Sequence, residues 1–260
     1  MSEAISPSQK AKFICAKRAM GFVEPGMRLG LGTGSTAAWL VRLLGDEVRN
    51  NGLKITTVAT SVQTARLAAE CGITVCTMDD VKWLDLTIDG ADEFDPELNL
   101  IKGGGAALLQ EKIVATASDR MVVIADASKD VDVLGRFPLP VEVVQFGWAS
   151  TEVMIKKAIA DLDVGGQTVT QRMNGDTALI TDEGHYILDL HLERIGDPQA
   201  LSLILNQIPG VVETGLFLDI ADAVVIGHVD GRVEVRDGNT GTAAFETIDI
   251  TDADNMLLGI

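Results

Sequence analysis

The sequence is short of several features that would have set its class at once. No uninterrupted apolar run approaches the roughly 20 residues that span a bilayer, and the opening stretch Ser8-Gln9-Lys10-Ala11-Lys12 has no apolar h-region. A cytoplasmic location is therefore expected. Cysteine is scarce: Cys15, Cys71 and Cys76 form no CxxC pair, and the odd number suits reduced thiols better than a disulfide framework. Cations are outnumbered, with 21 Lys and Arg against 38 Asp and Glu for a formal net charge of −17. Nucleic acid or an anionic membrane would be repelled across most of such a surface, so neither is expected as a partner. A phosphate-bearing ligand would need local cations or backbone donors. No histidine accompanies Asp89, Asp92 and Glu93, and the three histidines, His185, His191 and His228, lie in other segments, so no transition-metal site is expected; a hard cation at carboxylates stays open.

What is present is enough apolar sequence for a real core, 47% of 260 residues. The first half alternates short β-rich runs with longer helical patterns, as βαβ units around a parallel sheet do. Helices are predicted over 10–20, 35–48, 61–71 and 106–116, and strands over 27–31, 55–59, 74–77, 84–88 and 121–125. The run Met121-Val122-Val123-Ile124-Ala125 reads as a strand buried on both faces. Around Phe137-Pro138-Leu139-Pro140 the pattern changes to a strand, a helix over 151–162, a hairpin of 177–181 with 186–192, and a helix over 198–207. A strand over 223–226 then resumes the first pattern. The expected fold class is α/β: a Rossmann-like parallel-sheet domain from residues 1–134 plus 209–260, with a smaller α+β (ferredoxin-like) domain inserted over 135–208. The acidic tail from Asp230, with alternating Val233, Val235, Ile248 and Ile250, is expected to form an edge hairpin or a loosely held extension.

Four loops at strand ends carry the candidate chemistry. In Gly30-Leu31-Gly32-Thr33-Gly34-Ser35-Thr36, glycines let backbone N–H groups converge on an anion at a helix N-terminus. The bland alternative is a tight turn with Ser35 or Thr36 as N-cap. A dinucleotide is disfavoured: the spacing is not G-x-G-x-x-G, and the next strand ends in Ala59-Thr60-Ser61 without a ribose-binding acid. Asp89-Gly90-Ala91-Asp92-Glu93 follows a predicted strand, where open α/β sheets bind ligands, although acidic runs in acidic proteins are more often simply solvated.

Ile101-Lys102-Gly103-Gly104-Gly105-Ala106-Ala107 sets a fixed cation beside a glycine nest, an oxyanion site in outline, and opens the helix bearing Glu111. Ala107, Glu111 and Val114 stand at i, i+4 and i+7, so Glu111 can share an apolar face, and partial burial would make it a better base. An exposed Glu111 paired with a lysine such as Lys112 of a neighbouring chain is the alternative. Lys129, in Asp126-Ala127-Ser128-Lys129, is as readily a solvated lysine as a phosphate contact.

Taken together, Gly32-Thr33-Gly34-Ser35-Thr36, Asp89-Gly90-Ala91-Asp92, Lys102-Gly103-Gly104-Gly105 with Glu111-Lys112, and Ala125-Asp126-Ala127-Ser128-Lys129 closely resemble the type A ribose-5-phosphate isomerases. The resemblance continues through Phe137-Pro138-Leu139-Pro140-Val141-Glu142-Val143, Thr181-Asp182 and Ile208-Pro209-Gly210-Val211-Val212-Glu213-Thr214-Gly215-Leu216-Phe217, covering roughly residues 10–230. It implies interconversion of ribose 5-phosphate and ribulose 5-phosphate with no cofactor and no metal, by a dimer or dimer-based oligomer. It also implies Glu111 as the base moving a proton between C2 and C1 through an enediolate. Asp89, Asp92 and Lys102 would assist ring opening and handle the O1 and O2 protons, and Thr33, Gly34, Ser35, Thr36 and Lys129 would bind the sugar phosphate. Gly90, Ala91, Gly103, Gly104 and Gly105 would line the substrate. Departures are Gln145, where Pro is common, and His185, where Asn is commoner. A deaminase/isomerase or an acyl-CoA transferase on a similar scaffold is disfavoured by the Asp89-Gly90-Ala91-Asp92 and Lys102-Gly103-Gly104-Gly105 pair. A sugar-phosphate sensor is disfavoured by the retained Glu111 and the acidic charge.

Overall fold

The computed structural model describes residues 6–248, and these divide into two compact units. The first takes the described residues up to Gly90, then Val114–Lys129, and the chain from Ala221 on; the second takes Ala91–Ile113 and Asp130–Ile220. The predicted boundaries at 135 and 208 enclose less chain than this second unit. Its extra stretch joins through β4 (Glu93–Phe94) and β5 (Leu100–Ile101), because β13 (Leu216–Phe217) pairs antiparallel with β5 and Ile101 packs in the second unit's core.

The first unit is a seven-stranded sheet. Its parallel part runs, in spatial order, β2 (Thr56–Ala59), β1 (Arg28–Leu31), β3 (Leu86–Gly90), β6 (Met121–Asp126) and β14 (Ala223–Gly227). β15 (Arg232–Asp237) and β16 (Thr242–Thr247) add an antiparallel edge hairpin, as the tail's alternation predicted; Ile250 lies outside the described residues. The segment 74–77 forms a single parallel bridge, Val75 with Thr57, in place of the predicted strand.

Local chemistry starts and stops the helices. In α1 (Pro7–Ala19) the Ser6 hydroxyl accepts the Gln9 N–H, and Pro7 sits where no N–H is needed. α2 (Ala37–Asn51) stops at Gly52, whose left-handed φ of 67° glycine adopts at the lowest cost. In α3 (Val62–Glu70) Ser61 caps the Thr64 N–H, and in the short α4 (Met78–Val81) Thr77 caps that of Asp80. Phe13, Ile14, Trp39, Leu40 and Leu44 from α1 and α2 bury against Leu29, Leu31, Ile88, Val122 and Ile124 of the sheet, each such side chain contributing about 1.5–3 kcal/mol. α5 (Leu108–Thr116) carries the chain across the boundary between the units.

In the second unit the order β7 (Leu139–Val143), α6 (Trp148–Ile159), β8 (Thr168–Gln171), β11 (Tyr186–His191), α7 (Pro198–Asn206), β12 (Val211–Thr214) folds into an antiparallel sheet ordered β12-β7-β11-β8. This is the ferredoxin-like βαββαβ arrangement. The predicted hairpin of 177–181 with 186–192 is corrected. β11 pairs with β7 and β8, while β9 (Met173–Asn174) and β10 (Thr177–Ala178) form their own hairpin across Gly175-Asp176. Gly175 at φ 62° makes that tight turn possible, so the local signal lay at 174–177 and not at 182–185.

Candidate active site

In the first unit, the loops after β1, β3 and β6 leave adjacent strands at their C-terminal ends, where open α/β sheets place ligands. Gly32 donates its N–H to Ile88 O and lies so close to Asp89 that a Cβ there would stand 2.0 Å from Oδ1 and 2.5 Å from Cα. Asp89 is fully buried, and its Oδ1 accepts the N–H groups of Thr33 at 3.0 Å and Gly90 at 2.7 Å. The Thr33 hydroxyl sits among those of Thr60 (2.7 Å), Ser61 (2.8 Å) and Thr64 (3.2 Å).

Gly34 and Ser35 are exposed; Gly34 holds φ at 109°, and the Ser35 hydroxyl accepts from Lys12 Nζ at 3.0 Å. Thr36 stands at the N-cap of α2 without a side-chain capping bond, so the loop's polar side chains are not explained by helix capping. Lys129 closes a 3-10 turn after β6, beside Asp126, whose Oδ1 accepts the Ser128 N–H at 3.0 Å.

In the second unit, Ala91 and Asp92 lead into β4, and the Asp92 N–H donates to Ile101 O at 2.8 Å. Lys102 follows β5, its N–H bonded to Gly215 O at 2.9 Å. Gly104 donates its N–H to Asp92 Oδ2 at 2.7 Å, and a Cβ on Gly104 would meet Asp92 Oδ1 at 2.5 Å. Gly103 adopts φ 101° and Ala106 φ 62°, so the chain turns sharply through the exposed Gly104-Gly105 before α5 begins.

On α5, Glu111 Oε1 lies 3.2 Å from Lys102 Nζ, and the two residues are 3% and 2% exposed. Glu111 does share the buried face of Ala107 and Val114, and its ionic partner is Lys102. Lys112 turns instead to Glu213 Oε1 at 2.8 Å and Thr214 O at 2.7 Å. Burial pushes the Lys112 ammonium below the ordinary lysine range, with Glu213 opposing. The Phe217 ring serves both lysines, its centroid 5.4 Å from Lys102 Nζ and 4.9 Å from Lys112 Nζ.

Three features escaped sequence reasoning. The Thr60, Ser61 and Thr64 hydroxyls stand about Thr33, and the Ser61–Thr64 spacing of a helix start was their visible signal. Phe217 lay within a family motif but carried no assigned part. Arg172 donates to Gly103 O from 69 residues away, and no local pattern announces it. Among the described residues, no group of three or more His, Cys, Asp or Glu is placed to hold a metal ion, and no helix is long and apolar enough to cross a membrane.

A parallel sheet with glycine-rich and acidic loops at its strand ends, and a ferredoxin-like unit within the chain, define a Rossmann-like α/β protein. The chain belongs to the ribose 5-phosphate isomerase A (phosphoriboisomerase A) family, whose model matches residues 56–231. It is 63% identical to the ribose-5-phosphate isomerase A of Ruegeria pomeroyi over 98% of each chain. It is 60% identical to that of Jannaschia sp. over 100% of this chain and 99% of the relative. Among solved structures, a D-ribose-5-phosphate isomerase in complex with phospho-erythronic acid is 40% identical with a TM-score of 0.82, over 88% of this chain and 99% of that one. Ribose 5-phosphate isomerase A of Methanocaldococcus jannaschii is 37% identical with a TM-score of 0.81 over the same shares, 88% and 99%. The family match ends one residue before β15.

Proposed function

We propose that this chain interconverts D-ribose 5-phosphate and D-ribulose 5-phosphate, within the non-oxidative pentose phosphate pathway, with Glu111 as the proton-transferring base. The observation that carries the reading is the buried Lys102–Glu111 pair, 3.2 Å apart, in a chain of this family. A carboxylate shielded from water is a stronger base than a solvated one, and a neighbouring ammonium stabilises charge that builds on oxygen. On the open-chain aldose, Glu111 takes the C2 proton, the C–H electrons form the C1–C2 double bond, and the carbonyl electrons move to O1. In the second half O2 releases its proton as the C2 carbonyl forms, the proton on Glu111 passes to C1, and O1 is protonated.

Asp89, Asp92 and Lys102 are assigned ring opening and the O1 and O2 protons. Thr33, Gly34, Ser35, Thr36 and Lys129 are assigned the sugar phosphate, and Gly90, Ala91, Gly103, Gly104 and Gly105 line it. No metal or cofactor enters these steps, and we place the enzyme in the cytoplasm as a homodimer or dimer-based oligomer. A solved relative holding phospho-erythronic acid, a phosphorylated sugar acid, supports a sugar phosphate as the ligand class.

The test is conversion of ribose 5-phosphate to ribulose 5-phosphate by wild type and Glu111→Gln in the presence of a chelator. Wild type is expected to stay active while the variant loses roughly 10²–10⁴-fold in kcat, the span of general base catalysis. Wild type that binds the sugar phosphate yet turns nothing over would replace this reading with that of a sensor.

A further inference from the structure

The loop Lys102-Gly103-Gly104-Gly105 has no side chain beyond its lysine with which to hold itself; one turn bond, the Ala106 N–H to Gly103 O at 3.0 Å, is local, and its other peptide planes depend on groups elsewhere in the second unit. On one side, Gly104 gives its N–H to Asp92 Oδ2 at 2.7 Å. On the other, Arg172 Nη1 donates to Gly103 O at 2.7 Å and Gly104 O at 3.3 Å. Arg172 is itself firmly seated between β8 and β9: its N–H donates to Ile187 O and its carbonyl accepts the Leu179 N–H, both at 2.9 Å. Its guanidinium is gripped by Asp189, with Nε donating to Oδ2 at 2.9 Å and Nη2 to Oδ1. A guanidinium holds its donors in one rigid plane. One edge fixed on a carboxylate therefore fixes where Nη1 stands, and with it two successive carbonyls.

Resting on the isomerase reading above, we propose that Arg172, seated by Asp189, is a positioning residue for the reaction. In a trans peptide the carbonyl of one residue and the N–H of the next point in opposite directions. With the Gly103 and Gly104 carbonyls turned to Arg172, the N–H groups of Gly104 and Gly105 face the other way, toward the Asp92 side of the loop. The same grip holds the residue after Lys102, whose own N–H is fixed on Gly215 O at 2.9 Å. Arg172 thus orients donors and a cation through the loop, without itself meeting the substrate.

The test compares Arg172→Met, Arg172→Lys and Asp189→Asn with wild type, each assayed well below its own unfolding midpoint. Small misplacements of a site cost up to about 10²-fold in rate, so Arg172→Met is expected to lower kcat roughly 30-fold while KM moves less than about threefold. Arg172→Lys recovers only part, since a lysine cannot span the carboxylate and both carbonyls, and Asp189→Asn falls between. Arg172→Met added to Glu111→Gln is expected to cost little more than Glu111→Gln alone, because both act on one proton transfer. A purely structural arginine would lower the unfolding midpoint and leave kcat of the folded enzyme within threefold, which overturns the proposal. Wild type turning over with Glu111→Gln inert and Arg172→Met at full rate overturns this inference alone; an inert wild type overturns the reading beneath it.

Discussion

The two units each bury a carboxylate in a candidate cluster, and they treat it in opposite ways. In the first unit, Asp89 turns one oxygen to two backbone N–H groups, at 3.0 and 2.7 Å, and so ties the glycine loop after β1 to the end of β3. In the second, Glu111 faces a side-chain donor, the buried Lys102 ammonium at 3.2 Å. Backbone donors cannot move without moving the fold and do not give up their protons, whereas an ammonium can trade a proton. The bonded oxygen of Asp89 shapes a loop, leaving proton handling to its other oxygen, whereas Glu111, paired with an ammonium, can change its proton during a reaction. Burial alone does not separate the two, since both are closed to water. The nature of the donor does.

The sharpest way to break this contrast is Lys102→Met. Removing one partner of a buried pair leaves a charge without its counterion and costs about 3–5 kcal/mol of stability, so the urea midpoint is expected to fall steeply as turnover disappears. Lys102→Met combined with Glu111→Gln removes both charges and is expected to regain most of the stability and none of the activity. If the double variant stays as unstable as the single one, the loss came from packing and not from charge.

Gly32→Ala probes the other cluster. The added Cβ would stand 2.0 Å from Asp89 Oδ1 and 2.5 Å from its Cα, and the latter is backbone that a rotamer change cannot clear. Overpacking of this kind costs about 1–3 kcal/mol, read as a lower unfolding midpoint. Asp89→Ala on top of Gly32→Ala removes the carboxylate yet leaves the Cα in place, so it is expected not to restore stability. Full recovery in the double variant would mean that only the side chain had been in the way, and that the loop tolerates displacement.

Much of this was legible in the sequence because it is local. Strands such as 121–125 announce themselves by continuous apolar content, and the Gly-rich stretches by composition. Ala107, Glu111 and Val114 fall on one face by spacing alone, and all three are buried. What escaped is non-local. The partner of β11 was misassigned because alternation in 177–181 looks like a strand, while Thr168–Gln171 supplies the actual neighbour. The second unit's claim on 91–113 rests on pairing between residues more than a hundred positions apart, Leu216 with Ile101. Arg172 belongs to the same class, its value lying in two carbonyls 69 and 68 residues away in the chain.

The smallest expected effect separates the two lysines that share the Phe217 ring. Lys112 is held by Glu213 and the Thr214 carbonyl, as a structural cation would be, and burial still pushes its ammonium down from the ordinary lysine range. A lysine with a folded-state pKa below its unfolded value is a stability cost while protonated in both states. As pH rises through the folded value toward the unfolded one, about 10.4, the folded protein gives up its proton first. The unfolded chain then binds more protons, and the lysine's contribution to stability rises with pH in that window. Urea midpoints taken from pH 7 to pH 10.5 are therefore expected to show a rising contribution in wild type, measured against Lys112→Met, and none near pH 7. Parallel pH curves for the two proteins would mean that Glu213 and the Thr214 carbonyl fully offset the burial, making Lys112 as firmly charged as a surface lysine.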